Sequence, residues 1–178
     1  VTSLAGTFQH HVTADVAIAC WNYWLATQDR EWLETRGWPV LKATAEFWVS
    51  RVERTDDGKY HVYNVMGADE WAVNKDDDAY TNGAVKRNLE FATAAAKELG
   101  LNCPSEWMTI ADNIFFGKMA DGVTLEHAGY DGAEIKQADV NLLAFPLKLI
   151  TDKKQCMKDL AYYSTKVPQK KTPAMTQS

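Results

Sequence analysis

The sequence predicts an all-α fold, in which helix follows helix and short β-arms lie within the loops. Apolar residues recur every three or four positions over several long segments, which is the period of an α-helix. Residues that typically start or end helices flank these segments. The β-prone stretches are too few to build a sheet core. A succession of short antiparallel helices is typical of a solenoid, a bundle or a segment of an α/α toroid.

The first predicted helix covers Asp15–Thr27, with Thr13 as its N-cap. Its apolar stripe consists of Val16, Ala19, Cys20, Tyr23, Trp24 and Ala26. A short helical turn over Asp29–Glu34 follows, and Gly37 is expected to close it. Pro39 then marks the start of an amphipathic helix, because a proline is tolerated in the first helical turn. The apolar stripe of that helix consists of Val40, Leu41, Thr44, Phe47, Trp48 and Val52.

The middle of the chain is predicted to hold a hairpin, a long loop and a long helix. Asp56–Gly58 is a turn signal followed by β-prone residues, which predicts a short hairpin or extended arm. Met66–Asp78 contains glycine and many acids without a helical stripe, so it is interpreted as a loop. The alanine-rich stretch Ala79–Leu99 predicts a helix that ends at Gly100.

Three further helices are expected in the C-terminal part. The first runs from Pro104 to about Phe115, and a loop with a small β-arm follows over Gly117–Gly132. Apolar periodicity then predicts helices over Ala138–Ile150 and Asp152–Tyr163.

Composition excludes several classes of protein. The 178 residues, 46% hydrophobic and 24% charged, are typical of one globular domain. The net charge of -5 and the lack of a long basic run argue against nucleic acid as a partner. No apolar run approaches the ~20 residues of a membrane span, and the first residues lack the pattern of a signal peptide. No membrane partner is therefore expected, and the compartment is not readable.

Two residue types leave their roles open at this point. The 7 tryptophans, 7 tyrosines and 6 phenylalanines either fill a core or line a ligand cleft. The 3 cysteines are far apart and form no CxxC pair, so they are interpreted as thiols rather than disulfides.

The loop over Met66–Asp78 concentrates acids beside a tryptophan. Asp77 and Asp78 precede the Ala79 helix and are expected to cap it and complement its dipole. Asp69, Glu70 and Trp71 stand further upstream, and a carboxyl beside an indole is partly desolvated, which raises its pKa and suits a general acid. Calcium binding is the alternative role for these acids, but their spacing does not match an EF-hand loop.

Histidine spacing also gives no metal-site pattern, so no metal is expected. The histidines are His10, His11, His61 and His127. None of them forms an HExxH or comparable arrangement.

Lys136 and Gln137 stand at the start of the predicted helix over Ala138–Ile150. One interpretation is a solvated lysine beside a helix cap provided by Asp139. The other is a functional pair, since an ammonium and an amide held at a helix start can donate hydrogen bonds to sugar hydroxyls or to an anion.

Three segments together resemble a known enzyme family. Gly67–Glu90 reads GADEWAVNKDDDAYTNGAVKRNLE, Ile135–Pro146 reads IKQADVNLLAFP, and Phe8–Trp24 reads FQHHVTADVAIACWNYW. They are similar to segments of glycoside hydrolase family 65, which includes maltose, trehalose and kojibiose phosphorylases, acid trehalases and related α-glucoside hydrolases. Tyr162–Ser178 fits the following family segment less closely.

The resemblance implies a fold and a set of site residues. The fold is part of an (α/α)6 toroid, and residues 1–178 form a single segment that is about half of such a catalytic domain. Glu70 corresponds to the family's general acid, while Lys136 and Gln137 correspond to residues that hold the glucosyl unit. Trp71 and His11, in the matching segments, complete the expected substrate-binding set.

The resemblance also implies a reaction, with two alternatives. The leading expectation is an inverting hydrolase of small-molecule α-linked glucosides of the trehalose, kojibiose or maltose type, without a cofactor. A phosphorylase of the same family would use inorganic phosphate as co-substrate. The third possibility is a carbohydrate-binding helical module without catalysis.

The C-terminal residues favour hydrolysis over phosphorolysis. Thr172–Thr176 is closer to the form found in hydrolytic members than to the phosphate-binding segment of phosphorylases. However, Ser164–Lys171 contains no acid that could be the base, and Lys170 and Lys171 could bind an anion. As part of a toroid, the isolated chain is expected to be inactive and to hide apolar helix faces by self-association.

Overall fold

The structure is a computed structural model that describes residues 4–168. The helices within these residues are α1 (Ala5–Phe8), α2 (His11–Thr27), α3 (Arg30–Trp32), α4 (Trp38–Arg51), α5 (Ala79–Leu99), α6 (Glu106–Asn113), α7 (Val140–Ala144) and α8 (Lys153–Ser164). A π-helical turn over Leu33–Gly37 joins α3 to α4. Strands β1 (Glu53–Arg54) and β2 (Tyr60–His61) pair antiparallel. The predicted all-α class with a short β-arm is confirmed.

The chain forms two compact units. Among the described residues, the helix unit comprises residues 11–61 and 84–114, and the loop unit comprises residues 4–10, 62–83 and 115–168. The arrangement of residues 1–178 as about half of a catalytic toroid stays a prediction.

Large aromatic side chains fill the core of the helix unit. Trp48 of α4 is fully buried, and Trp107 of α6 is 2% exposed. The Trp21 ring stacks on Phe91 with the ring centroids 5.5 Å apart. Removing a buried ring of this size costs roughly 3–5 kcal/mol of folding free energy. These buried aromatic side chains of the helix unit therefore stabilise the fold.

Helix α2 differs from its prediction in start and in orientation. It begins at His11, so Thr13 lies inside the helix and is not its N-cap. The buried residues of α2 are His11, Ala14, Ala17, Trp21 and Trp24. The predicted stripe was wrong for Val16, Ala19, Tyr23 and Ala26, which are all exposed, Val16 by 47% and Tyr23 by 45%. Both sides of α2 carry apolar residues, so periodicity alone could not select the buried side.

The sequence predicted that Gly37 ends a helical turn, but no helix ends there. The Asp29 carboxylate caps α3 by accepting a hydrogen bond from the Trp32 N–H at 2.9 Å, and the helical path continues through the π-helical turn into α4. A Cβ atom at Gly37 would lie 2.7 Å from the Trp32 ring. The glycine is there because Trp32 packs against it. Pro39 lies in the first turn of α4, as predicted.

The predicted hairpin, loop and long helix in the middle of the chain are confirmed. The turn between β1 and β2 contains Gly58 at a φ of 80°. The acid-rich stretch is irregular, and α5 has the predicted bounds. Gly100 follows α5 with a φ of 71°, a left-handed conformation that favours glycine at a helix end.

The C-terminal helices are shorter than predicted, except for the last. Helix α6 lacks the first and last residues expected for it, and Ser105 makes no side-chain capping bond. Helix α7 covers five residues where thirteen were expected, because Pro146 cannot continue a helix and Phe145 before it is extended. Helix α8 has the predicted length and is capped by Asp152, which accepts from the Gln155 N–H at 2.9 Å.

Several expectations concern thiols, membranes and the C-terminus. Cys20, Cys103 and Cys156 are free thiols. Within residues 4–168, none of the helices is long and apolar enough to cross a membrane. Thr172–Thr176, Lys170 and Lys171 lie outside the described residues.

Candidate active site

The acid-rich loop of the loop unit is closed at its base by main-chain bonds. Val65 and Lys75 exchange two hydrogen bonds, from the Val65 N–H at 2.8 Å and from the Lys75 N–H at 2.7 Å. The Asn64 N–H also donates to Asp76 Oδ1 at 2.9 Å. We call residues 66–74, between these ties, the acid loop.

Glu70 of the acid loop contacts both Lys136 and Gln137. Lys136 Nζ forms an ion pair with Glu70 Oε2, and Gln137 Nε2 donates to the same oxygen at 2.9 Å. In return, the Glu70 N–H donates to Gln137 Oε1 at 3.2 Å. The structure thus brings together the three residues that the family resemblance selected from two separate segments.

These donors hold the pKa of Glu70 below its ordinary value. The hydrogen bond from Lys136 is the largest cause and the bond from Gln137 the second, while burial opposes them weakly. The Glu70 side chain is 37% exposed, and Trp71 is 43% exposed. The expectation that a neighbouring indole raises the pKa of Glu70 is therefore wrong for the unliganded chain.

Asp69, next to Glu70, is 1% exposed and accepts main-chain hydrogen bonds. Its Oδ1 accepts from the N–H groups of Trp71 at 3.1 Å, Lys136 at 3.0 Å and Gln137 at 3.4 Å. The sequence placed Asp69 beside Glu70 and Trp71 in the acid cluster but did not indicate these partners.

Asp139 also bonds to the acid loop. One interpretation of the sequence made it the cap of α7, but its side chain makes no capping hydrogen bond there. Its Oδ2 accepts from the Ala68 N–H at 3.2 Å, and its Oδ1 accepts from the Tyr80 N–H at 2.9 Å. A Cβ atom at Gly67 would overlap the carboxyl oxygens of Asp139 and Asp78. The main chain at position 67 can therefore approach these two carboxyls only if the residue is glycine.

The two aspartates before α5 have different roles. Asp78 Oδ1 accepts from the Thr81 N–H at 2.7 Å, which confirms the predicted cap. Asp77 Oδ1 accepts from the Val62 N–H at 3.1 Å and from Asn82 Nδ2 at 3.3 Å. Asp77 fastens the chain that leads into the acid loop.

Buried carboxyls lie close to one another beneath the acid loop. They are Asp69, Asp78, Glu126 and Asp139, each at most 3% exposed. Burial, and then the charge of Asp69, raises the pKa of Glu126 to about 9. Burial, and then the charge of Asp78, raises the pKa of Asp139 well above its ordinary value. At neutral pH Glu126 is therefore protonated, and the cluster carries fewer charges than it has carboxyls.

Glu126 is a member of this site that was not predicted from the sequence. Its one available signal was an isolated acid in the β-prone stretch of the loop over Gly117–Gly132. Within residues 4–168, no group of three or more His, Cys, Asp and Glu side chains has an arrangement suited to a metal ion.

A pocket of about 210 Å³ lies beside the acid loop. Its lining includes Asp69, Trp71, Glu126, His127, Tyr130 and Glu134. Burial lowers the pKa of His127, whose Nδ1 lies 2.8 Å from the Ala128 carbonyl oxygen. The pocket therefore combines aromatic side chains with acidic, basic and neutral polar groups.

His11, the remaining predicted substrate-binding residue, belongs to the helix unit. It is 8% exposed on α2, and its Nδ1 lies 2.8 Å from Asp15 Oδ2. Its role in substrate binding stays a prediction.

The chain is mainly helical and holds a loop glutamate against a lysine and a glutamine. The family model for the glycosyl hydrolase family 65 central catalytic domain matches residues 2–134. The chain belongs to this family.

Two relatives illustrate the similarity. A kojibiose hydrolase of Flavobacterium johnsoniae is 60% identical over 178 residues, which are 100% of this chain and 26% of that protein. A periplasmic/secreted acid trehalase of Candida glabrata is 34% identical over 177 residues, which are 95% of this chain and 14% of that protein. The chain thus spans about a quarter or less of the length of these curated relatives.

A solved structure named "Putative kojibiose phosphorylase from human microbiome" shares the fold. It aligns with a TM-score of 0.75 at 16% identity, covering 92% of this chain and 28% of that chain. The prediction that the chain has the all-α fold of part of an (α/α)6 toroid is confirmed.

Proposed function

We propose that the protein to which this chain belongs is an inverting hydrolase of α-linked glucosides, with Glu70 as its general acid. The name of the relative at 60% identity supports kojibiose as the first substrate to test, and the acid trehalase supports trehalose as the second. The proposed substrate is a small molecule, and the proposed reaction needs no cofactor.

The observation that carries the proposal is the convergence of two donors on one oxygen of Glu70. Lys136 Nζ and Gln137 Nε2 both contact Glu70 Oε2, although the two segments are 66 or 67 positions apart in sequence. Hydrogen-bond donors of this kind suit sugar hydroxyls, and a carboxyl beside them is placed to reach the bond that joins the sugar to its leaving group.

Because the pKa of Glu70 is low, substrate binding must raise this pKa before Glu70 can act as the acid. An ionised Glu70 cannot protonate a leaving group, and the hydrogen bonds from Lys136 and Gln137 favour the ionised form. When glucosyl hydroxyls accept those hydrogen bonds instead, the main causes of the low pKa are removed. Glu70 then takes up a proton while the sugar is bound.

The proposed reaction proceeds by direct displacement. The Glu70 carboxyl donates its proton to the glycosidic oxygen as the bond from that oxygen to the anomeric carbon breaks. A water molecule attacks the anomeric carbon from the opposite face, and a second carboxyl takes up the proton of that water in enzymes of this type. The first product is therefore glucose with inverted anomeric configuration.

The experiment uses an active protein that carries this chain, with kojibiose, trehalose and maltose, in the presence and absence of phosphate. We expect phosphate-independent release of glucose whose initial anomer, followed by proton NMR, is β. Glucose 1-phosphate formed only with phosphate would overturn hydrolysis in favour of phosphorolysis. Binding of sugar without turnover at any pH would support a non-catalytic module.

The variant Glu70→Gln tests the assigned acid. We expect kcat to fall by about 10²–10⁴-fold, the usual contribution of a general acid. The matched control is Glu106→Gln, an exposed glutamate of α6, which should keep the parent activity. Undiminished turnover by Glu70→Gln would remove Glu70 from its role.

A further inference from the structure

Asp69 joins two segments of the proposed site through one oxygen atom. Its Oδ1 accepts the N–H of Trp71, directly after Glu70, and the N–H groups of Lys136 and Gln137. The carboxyl is buried, so solvent does not compete for these bonds. Both sides of the contact around Glu70 thus depend on the same side chain.

The Lys136–Gln137 stretch has no regular secondary structure of its own. Its main-chain N–H groups need partners outside a helix or strand, and Asp69 supplies them. The preceding residue is held separately, because the Ile135 N–H donates to the Lys166 carbonyl oxygen at 3.1 Å. Loss of Asp69 would leave the N–H groups of Lys136 and Gln137 without this acceptor.

Glu126 supports Asp69 as an acceptor. Burial, and then the charge of Asp69, raises the pKa of Glu126 to about 9. Glu126 is therefore protonated at neutral pH and adds no negative charge beside Asp69.

We infer that Asp69 is a positioning residue of the proposed active site, whose carboxyl sets the contact of Lys136 and Gln137 with Glu70. The inference rests on the proposed function in that it assigns these three residues to sugar binding and proton transfer. Within residues 4–168, the Asp69 carboxylate accepts its hydrogen bonds from main-chain N–H groups, so it acts through the residues that it holds.

The first test follows the titration of Glu70 in the full chain by carboxyl-carbon NMR. In Asp69→Ala, released Lys136 and Gln137 donate less well to Glu70, so its pKa should rise towards the ordinary value. Removal of a neighbouring negative charge alone would lower that pKa. The sign of the change therefore separates loss of positioning from a direct charge effect.

Two variants calibrate this titration. Lys136→Met removes the strongest donor outright and should raise the pKa of Glu70 at least as far as Asp69→Ala does. Asp69→Asn keeps an acceptor oxygen for the N–H groups, so it should leave the pKa of Glu70 unchanged or slightly lower. If Asp69→Ala does not fold, Asp69→Asn still tests the inference, because a rise of the Glu70 pKa in Asp69→Asn would overturn it.

Asp159→Ala is the matched control for a merely structural role. Asp159 is 2% exposed in the loop unit and holds another loop, accepting from the Thr124 N–H and Oγ1 at 2.9 Å each. Its loss should lower the melting temperature while the Glu70 titration stays that of the parent. An unchanged Glu70 pKa in folded Asp69→Ala would overturn the inference.

The second test measures kinetics in an active protein that carries the chain. We expect Asp69→Ala to lower kcat/KM by about 10²-fold, the effect of a small misplacement of reacting groups, with Asp69→Asn restoring most of it. Asp159→Ala should keep kcat/KM near the parent value, and equal losses in both alanine variants would overturn the inference. If Glu70→Gln kept full activity, the proposed function would fail, while the NMR test of Asp69 would still stand.

Discussion

Glu126 gives the folding free energy a pH dependence that can be measured. Its pKa is about 9 in the folded chain against an ordinary value of 4.5, so between these values the folded chain keeps a proton that the unfolded chain releases. The stability that Glu126 contributes is complete below about pH 4.5 and is lost as pH rises towards 9.

The variant Glu126→Gln removes this titration with little change of shape. Relative to the parent, its free energy of unfolding should increase by about 1 kcal/mol per pH unit from pH 5 to 9. Urea unfolding at pH 5, 7 and 9 measures the difference. Glu134→Gln, at an exposed position that lines the same pocket, should follow the parent; parallel curves for parent and Glu126→Gln would show that Glu126 is ionised in the folded chain.

Site residues were predictable where a sequence segment carried the information. Glu70, Lys136 and Gln137 were found through segments that resemble a family, and the structure places them in contact. Asp69 and Glu126 were not assigned their partners, because hydrogen bonds between residues some sixty positions apart leave no periodic pattern in the sequence. The pKa of Glu70 was wrongly predicted for the same reason, since Lys136 controls it and Trp71 does not.

Helix capping offers a test at the scale of single elements. Asp152 caps α8 through a hydrogen bond from the Gln155 N–H, whereas Ser105 at the start of α6 makes no such bond. We expect Asp152→Ala to lower the free energy of unfolding by about 1 kcal/mol, and Ser105→Ala to change it by a few tenths at most. Chemical unfolding of both variants measures this, and equal losses would contradict the cap assignments.

Helix bounds followed from sequence where start and stop residues agreed with the apolar period. Helix α5 is such a case, ended by Gly100. Elsewhere packing overrode the local signal: Gly37 accommodates the Trp32 ring inside a continuous helical path. Pro146 was a readable stop for α7 that the apolar period obscured.

At the scale of the whole molecule, the second apolar side of α2 predicts self-association. Val12, Val16 and Tyr23 are 51%, 47% and 45% exposed, and their spacing of four and seven residues places them on one side of the helix. We expect sedimentation velocity to show concentration-dependent association of the chain, and Val12→Lys with Val16→Lys to shift it towards monomer.

The control adds the same charge elsewhere in the helix unit. Asn102→Lys with Ser105→Lys changes two exposed residues outside α2 and should associate as the parent does. A parent that remains monomeric at every concentration would refute the prediction.

The overlap that a Cβ atom would make at Gly67 sets a limit on how this site can vary. Every side chain other than hydrogen would push against the carboxyls of Asp78 and Asp139, which hold the start of α5 and the acid loop. Libraries designed to change substrate preference should therefore keep Gly67 fixed and vary Trp71 and Glu134, which line the pocket and are exposed. Position 67 therefore does not tolerate a side chain, whereas the exposed pocket residues Trp71, within the acid loop, and Glu134, outside it, are expected to tolerate substitution.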